Sequence, residues 1–322
     1  MKSVGYQAFG YNSKVENITF NEGLQTISSY AFSNCNAVKA IVLPESITTL
    51  ENNAFEGCDS LTEFRFPKAI TEVSNGILYH CDKLQKVVLA EGTTRLGYAA
   101  FSYCPQLNDI NVSAMNTLTF VDNYVFENTG FTTMTLPNSI TEVGYCTFQS
   151  CKQLESVNVP TGIDYVPENY CKSNPLLRTV KMHDGIRVIR NEAFEGCASL
   201  TDIELNDKIT RIEYDAFWGT NVAFTKLPDS LTFIGGSSFR DTKAMTCALT
   251  IPSGVTTIDG DAFNGSGLTS VTLPKGIKTW GSGLFANCKS LTSVQLPSDI
   301  KRITNYMFQS CSALEQIQLP DS

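Results

Sequence analysis

Residues 291–313 read LTSVQLPSDIKRITNYMFQSCSA, and another copy of the same template starts at Leu314. Residues 38–60, VKAIVLPESITTLENNAFEGCDS, follow it closely. Copies begin about every 23 residues, at Val15, Val38, Leu61, Leu84, Leu107, Phe131, Leu154, Leu177, Leu200, Val222, Thr246, Leu268, Leu291 and Leu314. A unit this short cannot enclose a core, so neighbouring copies must stack and share one. The repeat therefore predicts a solenoid, and it moves the functional question onto one long exposed surface.

Within a copy, the pattern gives the path of the chain. Val38, Ile41 and Leu43 are apolar, and Ile41 and Leu43, two apart, read as a short strand with one buried face. Pro44 ends it, because proline cannot donate to a ladder. Ile47 and Leu50 form a second inward segment, a very short strand on the return side. Ala54-Phe55-Glu56-Gly57-Cys58 is too short for an α-helix and reads as a tight 3₁₀-like turn.

Two columns result. Phe9, Phe32, Phe55, Leu78, Phe101, Phe126, Phe148, Cys171, Phe194, Phe217, Phe239, Phe263, Phe285 and Phe308 occupy one position and form a packed spine, since large aromatics dominate core energetics. Trp280 stands at an inward Ile position. Eight of the eleven cysteines occupy a second column: Cys35, Cys58, Cys81, Cys104, Cys151, Cys197, Cys288 and Cys311. Thr129, Asn174, Thr220, Thr242 and Ser266 fill the same column elsewhere, so the corner suits a compact group with weak hydrogen-bonding ability. Stacked equivalents point the same way with Cβ atoms ~4.8 Å apart, too far for a disulfide. Ligands that do not converge make a poor tetrahedral metal site. Buried, reduced thiols are the expectation.

Composition narrows the classes. Hydrophobic residues are 42% and charged ones 17%, which excludes disorder. A net charge of −8 and a pI near 4.9 argue against nucleic acid, which needs clustered Lys and Arg. No apolar run approaches the ~20 residues of a membrane span. The repeat runs end to end without a linker, so residues 1–322 read as a single solenoid domain and as a monomer. Because neither end carries an atypical polar cap, the chain reads as a fragment of a longer protein, with any secretion signal or anchor outside it.

The pattern L-x-x-[IV]-x-L-P-x-x-[IV]-x-x-[IL]-x-x-x-A-F-x-x-C, clearest from Leu61, Leu177, Leu268 and Leu291, resembles the BspA-type (Treponema pallidum-type) leucine-rich repeat. The resemblance implies an α/β-class leucine-rich repeat solenoid, a curved right-handed superhelix of about 13–14 repeats, with mostly short parallel strands, 3₁₀ turns and the strands on its concave side. It also implies a surface or secreted protein of host-associated bacteria that binds matrix proteins or other cells. The family has no catalytic motif, so no residue inherits a role. Tyr170-Cys171 departs from the Ala-Phe of the pattern.

Nothing in the sequence reads as an enzyme or a cofactor site. His80 adjoins Cys81 in sequence, but Cys81 should point inward and His80 outward; His183-Asp184 sits at a strand exit. No G-x-S-x-G, H-E-x-x-H, P-loop or Cys-x-x-Cys motif occurs. The expectation is a non-enzymatic extracellular binding or adhesion protein with a protein or glycan partner; the competing reading is a structural spacer with no ligand of its own.

Register supplies the candidate partner-binding residues. Among outward strand positions, charge concentrates at Arg65, Lys86, Asp109, Lys181, Asp202, Glu204 and Lys226, with Phe224 an apolar exception. Tyr98, Tyr145 and Tyr214, with Tyr30, Tyr124 and Tyr306, lie just before the Phe turn, and Tyr79, Tyr103 and Trp218 just after it. Exposed Tyr and Trp suit interfaces and sugar stacking. Length irregularities at residues 113–118, 167–175 and 241–248 should bulge outward, because stacking fixes the interior length.

Overall fold

The computed structural model describes residues 1–320 and is a parallel-strand solenoid of about 13 coils with almost no helix. Two compact units, Met1–Ile163 and Asp164–Ser322, are considered separately.

In the first unit, most coils contribute two short strands, as the two apolar segments of the repeat require. The coils from Val15 and Val38 keep only the return strand and the bridge between Asn17 and Ala40, so the segment of Ile41 and Leu43, expected as a strand, is not one. Glu63–Arg65, Lys86–Val88 and Asp109–Ile110 pair in parallel, with Glu63 opposite Lys86 and Lys86 opposite Asp109. Thr133–Met134 pairs in the same sense with Ser156–Asn158. The return side carries Ser3–Val4, Thr26–Ile27 and Thr49–Leu50, then Glu72–Val73, Arg95–Leu96, Phe120–Val121 and Glu142–Val143. In the second unit, the return side is a continuous six-stranded sheet from Tyr165–Val166 to Thr279–Trp280. Its first-strand side holds Thr179–Lys181 bridged to Asp202, and Ala248–Thr250, Ser270–Thr272 and Ser293–Gln295.

The Phe turn is 3₁₀-like, as expected, but only at alternate residues. In the coil of Phe55, the amides of Asn53, Phe55 and Gly57 donate to Asn75, Ile77 and Tyr79 of the next coil at 2.9, 3.1 and 2.8 Å. Between them Glu56 donates back to Asn53 at 3.2 Å. The same alternation holds for Asp261, Phe263 and Gly265 against Ser282, Leu284 and Ala286. Left-handed residues four apart make it possible: Asn53 and Gly57 (φ 58° and 66°), and Asp261 and Gly265 (57° and 71°). A 3₁₀ helix would direct every amide back along its own chain. Here the change of hand turns alternate amides towards the neighbouring coil, giving a third inter-coil ladder. Asn, Asp and Gly recur at these positions because they enter the left-handed region at least cost.

Inside that turn lies the spine. Rings Phe239, Phe263, Phe285 and Phe308 stack in sequence with centroids 5.2, 5.5 and 5.8 Å apart and planes within 9°. In the first unit Phe32 and Phe55 stack at 5.6 Å, and Phe126 and Phe148 at 5.5 Å. Where Cys171 replaces the ring, Tyr170 is wholly buried beside it and supplies the missing aromatic volume. Trp280, expected inward, is half-buried.

The cysteine column is as expected, and the structure adds its hydrogen-bonding role. All eleven cysteines are thiols. Each thiol of the column donates to a carbonyl of the preceding coil's turn: Cys81 to Phe55 at 3.3 Å, Cys197 to Cys171 at 2.9 Å, Cys311 to Phe285 at 3.1 Å. Thr220 and Thr242, in the same column, donate to Phe217 and Phe239 of their own coil instead, at 2.8 and 2.7 Å.

Two register expectations are corrected and a third is met. Phe224, placed outward by its column, turns inward against Phe217 and Phe239 with centroids 5.2 and 6.3 Å away. Normal register would put Thr225 in the core; the coil gives up its strand there, half-buries the ring and exposes Thr225. The copy placed at Thr246 begins one residue earlier, because Met245 is the wholly buried residue at the Leu position. The extra residue follows it, next to half-buried Cys247. At the irregularity of residues 113–118, Asn111–Ala114 is a single 3₁₀ turn: Ser113 and Ala114 face solvent, while Val112, Met115 and Leu118 anchor it in the core. The insertion does bulge outward.

Candidate functional site

In the first unit, the exposed strand face carries Arg65, Lys86 and Asp109. Parallel register brings Lys86 to within 3.4 Å of Asp109, an exposed ion pair of small energetic weight. Arg65 stands one strand away, over Val88, in no ion pair among the described residues. In the second unit, Lys181, Asp202 and Glu204 are exposed, and Asp202 accepts the Thr179 hydroxyl at 3.1 Å. Lys226 is drawn to the strand exits, 2.9 Å from Asp229 and 3.5 Å from Asp207. Lys181 and Lys226 are thus not one cationic patch.

The tyrosines separate by unit. Tyr98 and Tyr145, both exposed, flank Tyr124 edge to face, with centroids 5.5 and 5.1 Å from it. Tyr79 and Tyr103 meet the same way at 5.8 Å, and His80 stacks on Tyr103 at 4.7 Å. His80 is exposed and Cys81 buried, as their register predicts. Tyr214 stands apart from this group. Its hydroxyl donates to Asp259 at 2.6 Å and its ring packs on Phe233, which also carries the Arg211 guanidinium 4.0 Å from its centroid.

Tyr79, Tyr98, Tyr103 and Tyr124 border a hollow of about 370 Å³ in the first unit. Ser102 and Glu127 also line it, and both are buried. Glu127 accepts Ser102 Oγ at 3.0 Å and Gln149 Nε2 at 3.3 Å. Burial pushes its carboxyl above the ordinary glutamate value, against the stabilising Ser102 hydrogen bond. Burial likewise raises the phenols of Tyr79 and Tyr98, and the Glu127 charge adds to both. Neither Glu127 nor Ser102 stands out in the sequence. The available signal was their alignment with Glu195 and Lys172 of another copy, which form an ion pair at 2.8 Å. A second hollow of about 360 Å³ lies on the strand face beside Val42, Arg65 and Glu63.

Among the described residues, no group of three or more His, Cys, Asp or Glu side chains could hold a metal, and no helix is long and apolar enough to cross a membrane. The fold is similar to that of a leucine-rich repeat protein from Bacteroides ovatus, at 22% identity and a TM-score of 0.66, over 98% of this chain and 87% of that one. It is also similar to the pneumococcal vaccine antigen PcpA, at 16% identity and a TM-score of 0.51, over 92% and 85%. Comparison with curated proteins returns no match. The model of the BspA type leucine-rich repeat region matches residues 2–129, 119–246 and 245–322. The chain therefore belongs to the BspA-type leucine-rich repeat family.

Proposed function

We propose that this protein is a non-enzymatic binding or adhesion module of a cell-surface or secreted protein, engaging a protein or glycan through its strand face. One observation carries the reading: the interior is filled by the ring and thiol columns, while Arg65, Lys86, Asp109 and Lys181 project to solvent from short strands, Asp202 from an isolated bridge and Glu204 just beyond it. Side chains held at strand spacing on a rigid backbone form a preorganised surface, which lowers the ordering cost of association. Family membership and the likeness to a bacterial vaccine antigen are in keeping with a surface location. Phe224, half-buried with its ring against Phe217 and Phe239, is withdrawn from the candidate contacts. The repeat, which continues on both sides of its length irregularities, supports one solenoid over residues 1–322, and a monomer is the simplest form.

Matrix-protein panels and glycan arrays test this reading. Saturable binding that falls at least about tenfold in a variant combining Arg65→Ala, Lys86→Ala and Asp109→Ala, or one combining Lys181→Ala, Asp202→Ala and Glu204→Ala, supports it. Binding to neither panel leaves the chain a spacer that presents other domains, and binding that both variants retain overturns the strand-face assignment.

A further inference from the structure

The repeat contains its own comparison for the tyrosine hollow. Glu195 follows Phe194, as Glu127 follows Phe126, and each faces the residue after the spine position of the preceding coil. For Glu195 that residue is Lys172, whose ammonium lies 2.8 Å away and also contacts Glu192. For Glu127 it is Ser102, a neutral donor at 3.0 Å. Glu127 is in no ion pair among the described residues, although it is only 8% exposed. A buried carboxylate without a counter-charge is costly, and an ammonium group removes that cost.

The space where an ammonium would sit is walled by aromatic rings. Tyr79, Tyr98, Tyr103 and Tyr124 come from three successive coils, in two edge-to-face pairs. Tyr103 and Tyr124 hold left-handed backbone, φ 58° and 61°; most coils place Asn, Asp, Ser or Gly at the position of Tyr103 and half do at that of Tyr124, and Tyr11, Tyr30 and Tyr306 are left-handed elsewhere. For a bulky side chain this conformation costs roughly 1–2 kcal/mol. Aromatic faces around a carboxylate attract an organic cation through the ring quadrupole and the anion together. Alkylation suits the cation to this site, because methyl groups spread the charge over a surface that packs on rings.

We propose that the hollow bordered by Tyr79, Tyr98, Tyr103, Tyr124 and Glu127 is a binding site for an alkylated ammonium group, which takes at Glu127 the place that Lys172 takes at Glu195. The site is separate from the strand face, so the two proposals stand or fall independently. A small quaternary cation and a trimethylated lysine side chain present the same group, and separate titrations distinguish them.

The test is a titration followed by tyrosine ring resonances, using tetramethylammonium, a short trimethyllysine peptide, and tert-butanol as an uncharged comparator of similar size. Saturable shifts of the hollow's tyrosines with at least one cation, and binding of tert-butanol at least about tenfold weaker, are expected. Glu127→Gln should weaken cation binding at least about tenfold while leaving thermal stability equal or higher, since it removes an unpaired buried charge. Ser102→Lys should rebuild the Lys172–Glu195 pair within the hollow and abolish binding. The proposal is overturned if neither cation binds, if tert-butanol binds as well as they do, or if folded Glu127→Gln protein binds them unchanged.

Discussion

The Cys288 thiol lies 3.1 Å from the carbonyl oxygen of Phe263, one coil earlier, and donates to it across the stack. The carbonyl belongs to the backbone of a spine residue, so the two columns are joined wherever a cysteine of the column fills the corner. A threonine can fill the corner but directs its hydroxyl to its own coil, as Thr242 does to Phe239. Cysteine is the residue here that links consecutive coils.

Burial pushes Cys151 and Cys288 up to about 11, against the opposing hydrogen bonds of Thr129 and Ser266. An alkylating reagent at pH 8 should therefore leave the column unmodified in the native protein, and half-buried Cys247 should react first. A mass-spectrometric time course checks this; column thiols that react as fast as Cys247 would refute it. Because these thiols hold their protons more tightly when folded than the ordinary value of 9.0, the unfolded chain ionises first. Stability should be at its full value below about pH 9 and decline as pH rises towards 11. Denaturant midpoints should show a smaller decline for Cys288→Ser.

Phe263 is wholly buried between the rings of Phe239 and Phe285. Phe263→Ala should cost about 3–5 kcal/mol in chemical unfolding, and Phe263→Leu distinctly less, because Leu78 already occupies the column. Phe224→Ser separates the two registers for its coil. A ring on the surface would make the change nearly neutral; packed against Phe217 it should cost at least about 2 kcal/mol.

Asn111 holds Leu89 with both ends of its amide, accepting from the Leu89 N–H at 2.8 Å and donating to the Leu89 carbonyl at 3.1 Å. Asn158 makes the same pair of bonds to Leu136 at 2.7 and 2.9 Å. Each side chain stands in for a peptide unit of the ladder where the strand ends. Asn111→Ala should cost about 1–3 kcal/mol, because it strips two partly buried backbone groups of partners. Asn111→Asp keeps only the acceptor and should lie between. Amide exchange at Leu89 reports the loss directly; unchanged protection would show that water replaces the side chain.

Much of this protein was determined by sequence alone, because its signal is repeated. A 23-residue period, Ile41 and Leu43 two apart, a proline at most strand exits, a Phe in most copies and a Cys or another small residue in the corner fix the coil, the spine and the thiol column. Each copy constrains its neighbour, so chance agreement is improbable and local propensity counts for little. What the period could not decide were departures from it. Phe224 follows the pattern in spacing yet violates it in space, because burying a ring outweighs keeping a two-residue strand. The alternating hand of the Phe turn depends on hydrogen bonds to the next coil, which no single copy contains. Glu127, Ser102 and four tyrosines from three successive coils become one hollow only when the coils are stacked, since the contacts lie along the solenoid axis and not along the chain.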